Sequence, residues 1–428
     1  MQISELHNIF LKSTGIVTDS RKIELNSLFF ALKGENFNGN LFAKQAIEDG
    51  AMFSVVDDKE FAIDDKFILV DNVLTTLQKL ANYHRKQLSF PIIGITGTNG
   101  KTTTKELVNC VLSKKFKTVA TAGNLNNHIG VPITLLKMSV KDEFGIVEMG
   151  ANHIGEIDEL CKIAEPDFGL ITNIGSAHLE GFGSFEGVIK TKTEMYRFLE
   201  KKQGLIFYNS DNSILKNNIG TSRTYCYGTS SDVNVKGEVI DSNPLLRFKF
   251  IYHENEITVN TNLFGSYNFE NNMAAVCIGQ YFGIEVNDIK NAIENYFPQN
   301  NRSQIKKTDK NTLFLDMYNA NPTSMAASIE NFAELNVNSK VLIIGGMREL
   351  GEVSFDEHFK IVKLIENNNF EKVFLVGDEF SKVQSNKFII FMTSDDLAKY
   401  LSENEINNST ILLKGSRGIQ LEKSIKWL

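Results

Sequence analysis

The sequence predicts an α/β protein of three domains: a small N-terminal α/β domain, a central P-loop-type domain on a mostly parallel sheet, and a C-terminal Rossmann-like domain. Three observations predict it. A chain of 428 residues is longer than one hydrophobic core usually supports. Short apolar runs closing on glycine or a polar residue alternate with helical patterns, the order expected of parallel strands joined by crossover helices. A loop rich in glycine and threonine lies between one such strand and the next helix. The expected boundaries are residues 1–89, 90–300 and 301–428.

The first block holds short β-like pieces at residues 27–32 (SLFFAL) and 67–70 (FILV). Between them, residues 41–50 put Ala43, Ala46 and Ile47 on one helical face and stop at Gly50. The second block opens with residues 90–97 (FPIIGITG), a strand ending in glycine, and a helical pattern follows from Thr102. Residues 145–149 (GIVEM) and 168–172 (FGLIT) read as further strands. Period-two runs between residues 231 and 263 predict an antiparallel excursion, followed by a helical run over 272–282. In the third block, residues 341–345, 373–377 and 411–415 each read as a buried strand closing on glycine. Its Gly345-Gly346 pair lacks G-x-G-x-x-G spacing, so no dinucleotide is assigned there.

Composition narrows the function classes. Hydrophobic residues make up 42% and charged residues 23%, as in a globular protein with a sizeable core. Lys and Arg number 45 against 52 Asp and Glu, a formal charge of −7, which argues against a general nucleic-acid surface. No run nears the ~18 apolar residues that a membrane span needs. The first dozen residues lack a basic stretch followed by an apolar one, so no signal peptide is expected. Cys110, Cys161, Cys226 and Cys277 form no Cys-x-x-Cys pair, which favours reduced thiols and a cytoplasmic protein.

The sharpest local signal is Gly97-Thr98-Asn99-Gly100-Lys101-Thr102-Thr103. Glycine backbone can approach a phosphate closely, and a helix N-terminus aims N–H groups at it. Lys101 would neutralise the outer phosphates and the Thr102 hydroxyl would reach Mg²⁺. The strict G-x-x-x-x-G-K-[ST] spacing fails, because Ile95 stands where its first glycine belongs. Glu148 and His178 follow strands at the same predicted sheet edge, where open α/β folds bind ligands and hard cations find oxygen ligands. Lys192 on its own reads as a solvated helix lysine. Asn272 on its own reads as a helix N-cap, and Arg348 with Glu349 as a surface ion pair.

Beyond these features, the chain resembles the Mur ligase family over nearly its whole length. GTNGKTTTKEL at 97–107 is similar to the shorter ATP loop of that family. GNLNNHIGVPITLL at 123–136, EMGANHIGEI at 148–157, TNIGSAHLEGFGS at 172–184, DMYNANPTSM at 316–325 and LLKGSRG at 412–418 resemble one branch. That branch adds D-alanyl-D-alanine to UDP-N-acetylmuramoyl-tripeptide. The resemblance implies ATP and Mg²⁺ as cofactors and a catalytic set of Lys101, Asn124, His178 and Lys192. It also implies Thr102, Glu148, His178 and Lys192 around the metal, with Lys192 able to become a carbamate. Asn268, Asn272, Arg302 and Asp316 would hold the nucleotide.

Ser20 and Arg21 would hold the UDP-sugar, and Asn319 and Arg348 would face the remaining substrates. Where the family often has Asp-Gly-His, this chain has Asn38-Gly39-Asn40. The implied reaction runs through an acyl phosphate, with the C-terminal domain closing over it, in a monomer that binds no nucleic acid and enters no membrane. Two readings compete. A sister ligase would add a single amino acid to UDP-muramoyl-dipeptide. A non-catalytic regulator would bind nucleotide without phosphate release.

Overall fold

Three sheets organise the computed structural model, which describes every residue except 178, 300 and 384–386. Among the described residues the N-terminal sheet has four parallel strands: Ile16–Val17, Leu28–Phe30, Phe53–Val56 and Phe67–Leu69. The central sheet has nine strands. Seven run parallel, in the spatial order Thr118–Ala120, Phe144–Glu148, Ile92–Thr96, Phe168–Ile171, Leu205–Asn209, Arg223–Gly228 and Val235–Asp241. Leu245–Tyr252 and Asn255–Phe264 extend it antiparallel, which is the excursion expected from the period-two runs. The C-terminal sheet places antiparallel Gln304–Lys307 beside five parallel strands.

Period-two alternation decides which side chains build which core. On Ile92–Thr96, Ile92 packs into one apolar cluster while Ile93 and Ile95 face another on the opposite side of the sheet. On Lys340–Gly345 the same division sends Val341 and Ile343 one way and Leu342 and Ile344 the other. Helices cover both faces, as parallel sheets require.

The expected helix at 41–50 is split. A 3₁₀ turn, Gly39–Phe42, precedes a short α-helix, Ala43–Glu48. The run expected from residue 272 begins earlier, at Asn268, and continues to Tyr281. Asn272 is therefore mid-helix and fully buried, not an N-cap. The departure at 38–40 has a structural use: the buried Asn40 amide donates to Asn38 and Asp57 Oδ1, both at 2.9 Å, and its Oδ1 accepts from Asp57 N. All four cysteines are free thiols. No helix among the described residues is long and apolar enough to cross a membrane.

Candidate active site

The loop after Ile92–Thr96 needs its glycines. Gly97 has φ +144° and Gly100 φ +77°, values that side chains beyond Cα resist. A Cβ at Gly97 would collide with Thr172 Oγ1, and one at Gly100 with Asn271 Oδ1. Ile95, at the missing glycine position, lies inside the strand and is fully buried. The strand thus runs two residues further before a shorter turn. Helix Lys101–Leu112 starts directly after Gly100, and its first-turn N–H groups have no acceptor within the helix.

This helix start opens onto a cavity of about 670 Å³ lined by the loop, by Asn124, Asn126 and Glu148, and by C-terminal residues including Arg302, Asp316, Asn319 and Lys414. Lys101 donates to the carbonyls of Gly97 (2.7 Å) and Thr98 (3.0 Å). It keeps some surface open to the cavity, yet enclosure by protein lowers its pKa to about 8, opposed by the charge of Glu148 and assisted by that of Arg302.

Glu148 ends its strand inside the cavity, 1% exposed. Its Oε1 accepts from Asn126 Nδ2 (2.7 Å) and Thr102 Oγ1 (3.2 Å). Its Oε2 is buried with no hydrogen-bond partner, and Lys105 Nζ stands 3.9 Å away. An orphaned carboxylate oxygen beside a threonine hydroxyl and a phosphate loop suits a hard cation. Among the described residues no three His, Cys, Asp or Glu side chains cluster as a metal cage. Mg²⁺ would therefore draw part of its shell from phosphate and water. His178 lies outside the described residues.

Lys192 is 2% exposed, which overturns its solvated reading. It sits at the end of helix Phe185–Lys192 with its ammonium 5.5 Å from the Phe182 ring centre. Burial pushes its pKa far down, and the charge of Lys101 adds to this against Glu156 and Glu194. It does not itself line the cavity.

Of the residues expected to hold the nucleotide, Asn268 lines the cavity, donating to Phe264 O (2.7 Å) and Ser303 Oγ (3.1 Å). Asn272 is not brought there; its Nδ2 turns back onto Asn268 O at 2.7 Å. A residue four places on in a helix stacks over the first, and here it points into the core. Asn271 takes the cavity face instead, accepting from Thr104 Oγ1 at 3.0 Å. Arg302 stands over Tyr318, its Cζ 3.6 Å from the ring centre, a cation–π contact. Asp316 pairs with buried Lys414 at 2.6 Å. Asn319 is exposed in the cavity wall, and its Oδ1 accepts from Ala320 N.

Besides Lys192 and Asn272, three more expected residues lie apart from this cavity. Arg348 does form a surface ion pair, but with Glu379 at 2.7 Å, and it stands 3.7 Å from Asp378. Ser20 and Arg21 form a 3₁₀ turn in the N-terminal domain, where Arg21 holds the Asp19 carboxyl down to about 2. Asn126, Asn173 and Lys105 were missed in the sequence. All three sit inside the motif segments above, but a polar residue carries no mark in sequence of which partner it will meet.

A phosphate loop at the carboxyl edge of a parallel sheet, roofed by a second α/β domain, defines a three-domain nucleotide-using enzyme. Comparison narrows this. Residues 12–85 match the model described as Mur ligase family, catalytic domain; 95–279 match Mur ligase middle domain; 301–417 match Mur ligase, glutamate ligase domain. The chain is 35% identical over 426 residues to the UDP-N-acetylmuramoyl-tripeptide--D-alanyl-D-alanine ligase of Bacillus subtilis (strain 168), covering 96% of this chain and 92% of that one. A crystal structure of MurF from Acinetobacter baumannii superposes with TM-score 0.87 at 29% identity, over 96% of this chain and 92% of its own. The MurF ligase from Thermotoga maritima in complex with ADP gives 0.86 at 26% identity, over 97% of both. The chain belongs to the Mur ligase family of ATP-dependent amide-bond-forming enzymes.

Proposed function

We propose that this chain joins D-alanyl-D-alanine to UDP-N-acetylmuramoyl-tripeptide, using ATP and releasing ADP and phosphate. This is the last cytoplasmic amide-forming step toward the UDP-muramoyl-pentapeptide precursor of peptidoglycan, performed by a monomer. The observation that carries the reading is one cavity lined at once by the phosphate loop, Glu148 and the C-terminal domain. A reactive acyl phosphate can be made and consumed there without leaving.

The chemistry follows from the poor electrophilicity of a carboxylate. The tripeptide carboxylate attacks the γ-phosphorus, ADP departs, and the resulting acyl phosphate carries a good leaving group. The dipeptide amine adds to its carbonyl carbon, and collapse expels phosphate. Phosphoryl transfer asks mainly for alignment and charge neutralisation. Lys101 and the first-turn N–H groups supply these to the outer phosphates, and Asn124 is suited to the transferring group. Glu148 and Thr102, with His178 and Lys192 from the family resemblance, would hold Mg²⁺, which when bound neutralises phosphate oxygens. Asn268, Arg302 and Asp316 serve the nucleotide, Ser20 and Arg21 the UDP-sugar, and Asn319 and Arg348 the peptide substrates.

Burial favours the neutral amine of Lys192, which is the form that attacks CO₂. The nitrogen forms the new C–N bond and releases one proton, leaving a carbamate anion. Lys192→Ala is then expected to lose turnover and regain part of it with small carboxylates. Full activity of the variant in plain buffer would remove Lys192 from the site.

The function itself is tested by phosphate release from ATP with UDP-muramoyl-tripeptide, with and without D-alanyl-D-alanine, while product mass is followed. Release that needs both substrates, with product heavier by one dipeptide residue, is the expected result. Release with a single amino acid moves the chain to a sister branch. Silence with every substrate favours a regulator.

A further inference from the structure

The amide of Asn321 makes two kinds of contact at once. It is the N-cap of helix Pro322–Ala333, where its Oδ1 accepts from Ser324 N at 2.9 Å and its N–H donates to Ser324 Oγ. Its Nδ2 donates at 2.7 Å to Asn99 Oδ1, in the phosphate loop of another domain, 222 residues away in sequence. Asn321 is 7% exposed, so this contact is well enclosed. Among the described residues it is the hydrogen bond that ties the C-terminal domain to loop residues 97–103. Other polar ties between these domains, such as Asn268 to Ser303 and Ser266 to Asn331, are made by residues outside that loop.

The acceptor is itself held firmly. Asn99 N donates to Asn173 Oδ1 (2.9 Å), and Asn99 O accepts from Thr172 Oγ1 (2.6 Å) and Asn173 Nδ2 (3.2 Å). Beside it, Thr98 Oγ1 accepts from Gly175 N at 2.9 Å. A Cβ at Gly175 would already lie 3.0 Å from Thr323 Oγ1 of the facing helix. The backbone of Asn99 is thus fixed by its own domain, and its side-chain Oδ1 is left to meet Asn321.

We propose that Asn321 is a positioning residue, holding the amine-substrate domain over the phosphate loop through Asn99 so that the acyl phosphate meets amine before water. The proposal rests on the function argued above. Its consequence is specific. Without the tie, water adds to the acyl phosphate carbonyl and phosphate leaves, so ATP is consumed with the carboxylate regenerated.

The side-chain inventory lets cap and tie be separated. Serine keeps an acceptor suited to capping but cannot reach Asn99. Aspartate keeps the cap acceptor and has no N–H to donate. Alanine loses both. For Asn321→Ser we expect only a small fall in melting temperature, an unchanged KM for the UDP-substrate, and about tenfold lower amide kcat. The ratio of phosphate released to amide formed should rise well above the wild-type value of one.

Asn99→Ala should raise the same ratio, and the double variant should be no worse than the more impaired single. A ratio that stays at one in Asn321→Ser overturns the proposal, whatever happens to kcat. So does a defect confined to Asn321→Ala and accompanied by a lower melting temperature, which would mark a cap alone. Wild-type protein that makes no amide would instead sink the proposed function. Scattering with a non-hydrolysable ATP analogue reads the tie without turnover: a larger radius for Asn321→Ser is expected, and equal radii count against it.

Discussion

The two junctions of the central domain are built from different materials. Toward the N-terminal domain the cores merge. Leu6, Leu28, Leu77 and Leu80 from one side share a single buried cluster with Val131, Leu135, Val147 and Leu199 from the other. Helix Val73–Arg85 seals that joint, with Arg85 donating to Ala164 O and pairing with Asp167 at 2.7 Å, and His84 bonded to Met138 O at 2.8 Å. Toward the C-terminal domain the joint is mostly polar amides and hydroxyls around a cavity, with Phe264 against Phe314 as its main apolar contact. Apolar burial resists separation in any geometry, whereas amide contacts can be exchanged for water at small net cost. The difference teaches that the N-terminal domain is fused to the central one as a fixed platform, whereas the C-terminal domain is joined by contacts that part at smaller cost.

The sharpest test acts where the C-terminal domain meets the central one. Lys101→Ala should lower turnover by about a thousandfold while leaving UDP-substrate binding, measured by calorimetry, largely intact. A variant still working near wild-type rate would remove the loop from the chemistry. Next in size, Leu80→Ala in the shared core should cost about 2–5 kcal/mol, read as a lower denaturation midpoint. The N-terminal and central domains should unfold in one step. Two separate transitions would break the idea of a merged core.

Smaller is the pH effect. Lys101 has a pKa of about 8 and is cationic below it, so nucleotide affinity should be greatest at neutral pH. It should fall about tenfold between about pH 7 and 9 as the ammonium is lost, and Lys101→Arg should flatten that slope. An unchanged slope in the arginine variant would assign the titration elsewhere. Smallest of all, Asn331→Ala removes the acceptor for Ser266 N and Oγ. It should change stability by about 1 kcal/mol yet enlarge the radius seen by scattering. A stability loss as large as that of Leu80→Ala would erase the contrast between the joints.

Much of this was legible before folding. Strands such as 92–96 and 341–345 declare themselves because a doubly covered parallel strand must be apolar throughout and short. The phosphate loop is legible because left-handed backbone and close approach to phosphate leave glycine as the fitting residue. Lys192 was not legible, since a lysine in KTKTE carries no sign of burial until helices enclose it. Nor was the choice between Asn271 and Asn272, where one residue's rotation about the helix axis separates cavity from core.

By itself the sequence determined the α/β class, the three blocks, the phosphate loop and, through its motifs, the family. These are local or patterned properties: periodicity, turn chemistry and residue order survive in one dimension. Only the tertiary structure decided that Glu148 keeps a carboxylate oxygen free beside Thr102, that Lys192 is buried near Lys101, and that Asn99 meets Asn321. Each depends on distances between segments far apart in the chain. Such distances are set by how whole sheets and helices pack, and no run of neighbouring residues encodes them alone.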